Sequence, residues 1–170
     1  MYWTKKHVLI CNASHCNQKG AGTFAGRLRI EIIRRGLDAE ILINNCGTID
    51  LCDIGPNLVI YPDGVIYSGC TLDDIPDIVA ALTGGDEVER LVLSPDTPAE
   101  AARHAFYAAA VSPEPIRPVA AFETLAADHG FDAAWISEQQ RRGFIARKPA
   151  SDDAAETITV TKKARTRYDV

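Results

Sequence analysis

The sequence predicts an α/β fold: a small mixed sheet flanked by helices, followed by a mostly helical C-terminal extension. Three observations carry this. In the first half, apolar runs of strand length alternate with stretches of helical period. A Pro62-Asp63-Gly64 turn joins two of those runs directly. After Leu93 the chain becomes Ala-rich and broken by prolines.

His7-Val8-Leu9-Ile10-Cys11 reads as a short buried strand. Asn12 to Gly20 is polar and ends on Gly, so a loop is expected. Ala21 to Arg35 reads as a helix, with Ala21, Ala25, Leu28 and Ile32 on one flank and Ile30, Ile33 and Leu37 on another. Arg27, Glu31, Arg34 and Arg35 take the remaining stripe, so the apolar arc is wide enough to lie against a sheet. Gly36 stops it. Ala39 to Asn44 reads as a second strand, and Cys46 to Pro56 as a loop. Leu58–Tyr61 and Val65–Tyr67 form a hairpin around Asp63-Gly64, because that dipeptide tolerates the positive φ of a tight turn. Asp73 to Leu82 reads as a helix, with Pro76 in its first turn, where its missing N–H costs nothing. The order β-α-β-β-β-α, with a crossover helix and then a hairpin, matches a thioredoxin-like arrangement.

The second half is organised differently. Ser94 to Pro98 reads as a linker and residues 99–111 as a helix, with prolines at 113, 115 and 118 after it. Val119 to His129 and Asp132 to Arg147 read as two more helices around Gly130. Thr157 to Thr161 alternates like a strand, and the end is basic. The expected domains are therefore 1–97 and 98–170.

Composition narrows the function. With 46% hydrophobic and 24% charged residues, the 170-residue chain has ordinary globular chemistry. It contains no apolar run long enough for a membrane span, and its N-terminus lacks a secretion-signal pattern, which argues for a cytoplasmic protein. Residues 1–97 hold eight Lys/Arg against thirteen Asp/Glu, while residues 98–170 hold ten of each. Nucleic acid is not expected as a partner of so acidic a front. Five cysteines make a poor disulfide framework, and grouped thiols in a reducing compartment more often bind metal or do redox chemistry.

Four of those cysteines form two pairs, Cys11-x4-Cys16 and Cys46-x5-Cys52, separated by 29 residues. Each pair follows an expected strand, and strand ends on one sheet edge lie close together. Soft thiolates select zinc, copper(I) or iron–sulfur. A [2Fe–2S] core needs four thiolates, two per iron, which suits two loops carrying two each. Zinc stays open, although structural zinc sites favour two- to four-residue spacings and x5 is long. Gly47 and Gly55 could offer backbone N–H groups to the sulfurs. Cys70 reads as a small apolar residue packed in or near the core. His7, His15, His104 and His129 read as ordinary structural or loop residues.

The His7–Cys11 strand, Cys52-Asp53-Ile54-Gly55-Pro56, Val59-Ile60-Tyr61-Pro62-Asp63-Gly64-Val65, Tyr67 and Gly84-Gly85 with Val88-Glu89-Arg90-Leu91-Val92 together resemble the thioredoxin-like [2Fe–2S] ferredoxins. The resemblance covers about residues 6–94 and extends to the small [2Fe–2S] subunit of respiratory NADH dehydrogenase and related hydrogenases. It implies a one-electron carrier, often a homodimer, that passes electrons between redox proteins from one [2Fe–2S] cluster. By position, Cys11 and Cys52 match the family's first and last ligands. Cys16 and Cys46 complete the expected set. The spacing departs from the family's usual Cys-x3-Cys second pair: Thr48 stands where that cysteine would be, and Cys46 stands two residues earlier.

Asp50 and Asp53 would disfavour an added electron and lower the potential. Asp73, Asp74 and Asp77 could steer a basic partner, although charge compensation at a helix start explains Asp73 and Asp74 as well. An alternative reading is a metal-stabilised binding or regulatory module whose extension docks a partner through Trp135, Phe144 and the basic tail. A stand-alone enzyme is not expected. There is no cofactor fingerprint and no catalytic array, and Gly20-Ala21-Gly22 is only a weak hint of an anion site.

Overall fold

The computed structural model describes residues 3–51, 54–150 and 155–170. Its contacts divide the chain into two compact units, Met1–Ser94 and Pro95–Val170.

The first unit is a thioredoxin-like α/β arrangement. Its elements are β1 (Lys6–Cys11), α1 (Ser14–Gln18), α2 (Ala21–Arg34), β2 (Ile41–Cys46), β3 (Leu58–Tyr61), β4 (Val65–Tyr67) and α3 (Ile75–Leu82). The sheet order is β2-β1-β3-β4. β1 and β2 run parallel across the α2 crossover, whereas β1–β3 and β3–β4 are antiparallel. Val8 and Ile10, on one face of β1, join Leu28 and Ile32 of α2 and Ile78 and Val79 of α3 in the core. Each of these side chains contributes about 1.5–3 kcal/mol by leaving water.

Two local expectations are corrected. The stretch Asn12 to Gly20 is not wholly loop, because α1 forms inside it, with the Asn17 amide donating to the Ala13 carbonyl at 2.9 Å. Only one flank of α2 is buried: Ala21, Phe24, Ala25, Leu28 and Ile32 face inward, while Ile30 and Ile33 are each 57% exposed. Ile30 lies about 200° round the helix from Leu28, too far for both to reach one sheet.

A capping box closes the 3-10 turn Leu72–Asp74 that leads into α3. Asp74 accepts from the Thr71 amide (2.7 Å), the Thr71 hydroxyl (2.8 Å) and Arg90 (2.6 Å). Burial alone would raise its pKa, but the Thr71 and Arg90 bonds outweigh that and hold the carboxyl below its ordinary value. A depressed native pKa stabilises fully above the ordinary carboxylate range, and that stability is lost only as pH falls through the native value. Asp74→Asn is expected to cost about 1–2 kcal/mol. Urea unfolding followed by circular dichroism should find the same loss at pH 8 as at pH 6.

The second unit contains α4 (Pro98–Val111), β5 (Ile116–Pro118), α5 (Val119–Asp128), α6 (Ala133–Arg141), β6 (Ile145–Lys148), β7 (Thr157–Val160) and α7 (Lys162–Tyr168). It is mostly helical, with an antiparallel sheet of order β5-β7-β6 that the sequence showed only at β7. The helix expected over Asp132 to Arg147 stops at Arg141. Gly143 adopts φ 74°, and the Phe144 amide donates back to the Gln139 carbonyl at 2.9 Å, so the chain turns into β6. Phe106 anchors this core through edge contacts to Tyr107, Phe122, Phe131 and Trp135. Phe144 is fully buried, and the basic tail folds as α7, capped by Thr161. Glu100 is buried between Arg103 (2.6 Å) and Arg167 (3.4 Å).

Candidate metal centre

The first pair of thiols comes together because of the sheet. β1 ends at Cys11 and β2 at Cys46, and the parallel register pairs these two residues directly. Paired residues of neighbouring strands leave the sheet on the same face, with their strands about 4.8 Å apart. Backbone bonds fix this end of the sheet: the Asn12 amide donates to the Cys46 carbonyl, and the Cys11 amide to the Asn57 carbonyl, each at 2.9 Å.

Cys16 reaches the same place from α1. Cys11 and Cys16 are both fully buried and pack with Ala21, the first residue of α2, while Ala13 and Ile49 close over them. Cys46 is half-buried.

The loop after β2 wraps over this group. A Cβ placed on Gly55 would lie 2.6 Å from the Cys16 sulfur, so only glycine lets the backbone pass there. Buried Asn57 holds the loop from inside, its Nδ2 donating to the Leu51 carbonyl, while its buried Oδ1 has no hydrogen-bond partner among the described residues. Thr48 accepts from the Asp50 amide at 2.9 Å, and Asp50 takes a positive φ of 62°. Asn57 was not legible as a site residue. A lone polar residue between Pro56 and an apolar strand was its only signal.

Cys52 and Asp53 lie outside the described residues. Their neighbours Leu51 and Ile54 are described, and the Ile54 amide donates to the Leu51 carbonyl at 3.2 Å. Among the described residues, no three His, Cys, Asp or Glu side chains are grouped so as to hold one metal ion. A diiron core takes its four thiolates two by two, so it needs no such triple. The donor set that is placed, two buried thiols and a third in register with one of them under a glycine-thinned loop, fits such a core.

The remaining candidates stand apart. Cys70 belongs to the main core with Ile75 and Leu91, not to the Cys11–Cys16 group. Burial, with a smaller push from Asp74, drives its pKa up to about 12, which suits a packed thiol. His7 Nε2 lies 3.1 Å from Asn44 Nδ2 on β2. Tyr67, also buried, accepts from the Val88 amide at 3.0 Å.

No family model matches the chain. A [2Fe–2S] ferredoxin of Clostridium pasteurianum is 33% identical over 96 residues, which cover 51% of this chain and 94% of that protein. The chain belongs to the [2Fe–2S] ferredoxin family. A second [2Fe–2S] ferredoxin, from Aquifex aeolicus (strain VF5), is 32% identical over 103 residues, or 55% of this chain and 93% of the relative. The solved structure of the wild-type thioredoxin-like [2Fe–2S] ferredoxin from Aquifex aeolicus shares 33% identity across 54% of this chain and 98% of its own, with a TM-score of 0.49. With the ferredoxin family come its cofactor, a [2Fe–2S] cluster, and its work, the carriage of electrons. The relatives account for only about half of this ferredoxin's length. No helix among the described residues is long and apolar enough to cross a membrane.

Proposed function

We propose that Cys11, Cys16, Cys46 and Cys52 are the four ligands of the cluster, in a ferredoxin domain spanning residues 1–97 with an extension over 98–170. The observation that supports this most directly is the strand register: it sets Cys46 beside Cys11 at the sheet edge where Cys16 is buried. The cluster supplies a reversible one-electron couple. The chain's own part is to hold the thiolates, to exclude water from Cys11 and Cys16, and to set the surrounding charge.

That charge is negative. The eight cations and thirteen carboxylates of residues 1–97 favour a basic redox protein as partner, and Asp73 and Asp77 are exposed on that unit. Asp50, four residues after Cys46, adds to the cost of placing another electron nearby, so the potential should be low. We read the protein as a cytoplasmic homodimer that passes electrons between redox proteins and catalyses no reaction alone. The thiol-rich site favours a reducing compartment.

Anaerobically purified protein tests this reading. It should be brown, with two irons and two sulfides per chain, visible absorption that bleaches on reduction, and an EPR signal in the reduced state. A colourless protein with stoichiometric zinc would overturn it.

A further inference from the structure

We propose that the second unit is a helix-turn-helix module with a β-ribbon wing, and that it binds duplex DNA through α6 and β6. This is independent of the ferredoxin reading, because it uses no residue of the first unit.

The topology comes first. The order helix, strand, helix, turn, helix, two-stranded ribbon is built on one small sheet in which β5 pairs with β7, and β7 with β6. A tight turn of residues 129–132 joins α5 to α6. Gly130 adopts φ 80°, its amide donates to the Ala127 carbonyl, and the Phe131 amide reaches the Ala126 carbonyl, each at 2.9 Å. This closes α5 with the paired bonds that glycine just past a helix end allows. Asp132 then caps α6 by accepting from the Trp135 amide at 2.8 Å. A helix pair joined by a short glycine turn, with its second helix presented outward, is the arrangement that fits a helix into the major groove.

The presented face suits that groove. Ile136 and Gln139 bury the inner side of α6, and Trp135 stacks on Phe131 at 4.0 Å. Ala133, Ala134, Ser137, Gln140 and Arg141 are all exposed and recur at helical spacing on one outer stripe. Three short side chains let a helix approach closely, and Gln and Arg are the side chains that read adenine and guanine edges by paired hydrogen bonds. No carboxylate lies on this stripe. Flanking Glu138 is paired with Arg141, and Glu123 and Glu156 are both paired with Arg147, each at 3.3 Å.

Charge segregation supplies the second argument. The ten-to-ten balance of residues 98–170 hides an uneven distribution, with four of each sign over residues 149–170. Residues 98–132 carry five carboxylates and two cations, whereas residues 133–148 carry Arg141, Arg142, Arg147 and Lys148 against Glu138 alone. Arg147 and Lys148 are exposed on β6, where a wing would meet the phosphate backbone. The acidity that argued against nucleic acid belongs to the first unit and does not describe this surface.

The test uses the full holo chain and a labelled 25-base-pair duplex of mixed sequence, followed by fluorescence anisotropy. The chain as a whole is acidic, with net charge −5, so attraction must come from a local face. Binding is expected at 50 mM salt, weakening about a hundredfold by 200 mM if roughly four phosphates are neutralised. Ala134→Glu should weaken binding at least tenfold. A carboxylate in the first turn of α6 favours the helix, so that loss cannot be ascribed to unfolding. The same charge on exposed Ala105 of α4 should change affinity less than twofold. Absence of binding at 50 mM salt, or equal affinity of the Ala134→Glu chain, would overturn the proposal and leave the α6 face to a protein partner.

Discussion

Replacing Cys11 or Cys16 by serine is expected to reduce bound iron from two per chain to a small fraction, with loss of the visible absorption. Both thiols are fully buried beside each other. A serine hydroxyl is a harder donor with a far higher pKa than a thiol, so at neutral pH it offers iron a neutral oxygen where a thiolate stood. Cys46→Ser and Cys52→Ser should act in the same direction. Cys70→Ala supplies the contrast. Cys70 packs in the main core among Ile75, Val88 and Leu91, so the variant should keep two irons and lose only about 1 kcal/mol of unfolding stability. Iron and sulfide analysis of all five variants decides the ligand set. If the Cys46 variant stays fully loaded while the Cys70 variant is empty, the fourth ligand is Cys70 and the proposed set is wrong.

That contrast shows which parts of the site could be read before any coordinates. Cys11 closes an apolar run of strand length, whereas Cys46, expected as the first residue of a loop after a strand ending at Asn44, is the last residue of β2, because pairing with β1 carries the strand through two polar asparagines. Cys16 was legible as a thiol near the site but not as a helical residue. Its helix has five residues, too few for a period to show, and is held by backbone bonds rather than by an apolar stripe. The β3–β4 hairpin was fully legible, because Asp63-Gly64 fixes both the turn and the register. The second unit was least legible. β5 has three residues, preceded by Pro115 and ending on Pro118, which reads as a breaker, and it exists only because β7 offers it an edge. Three residues separate β6 from the helix before it, and Gly143 was the one signal that the helical period had ended. Long-range pairing of this kind leaves no periodic trace in the strand that receives it. The exposed Ile30 and Ile33 show the opposite failure: helical spacing gives two apolar flanks on α2 but does not say that only one has a sheet to meet.

The loop over the site gives the second large effect. Gly55→Ala places a methyl group 2.6 Å from the Cys16 sulfur, well inside ordinary contact. One of three things must yield: the sulfur, the loop, or the grip of Asn57 on the Leu51 carbonyl. Each displaces a proposed ligand or its support. Overpacking a fitted interior typically costs about 1–3 kcal/mol. Here the strain falls on a donor atom, so the variant should release iron to a chelator at least tenfold faster than the parent and show a lower Tm. Gly47→Ala isolates the cause. It adds the same methyl to the same loop, in open space with nothing within 4 Å, and its backbone needs no positive φ. It should release iron at the parental rate. Equal rates for the two variants would mean that contact between the Gly55 backbone and the Cys16 sulfur does not govern cluster retention. A faster loss confined to Gly55→Ala would mean that the missing side chain, rather than loop flexibility, keeps the sulfur in place.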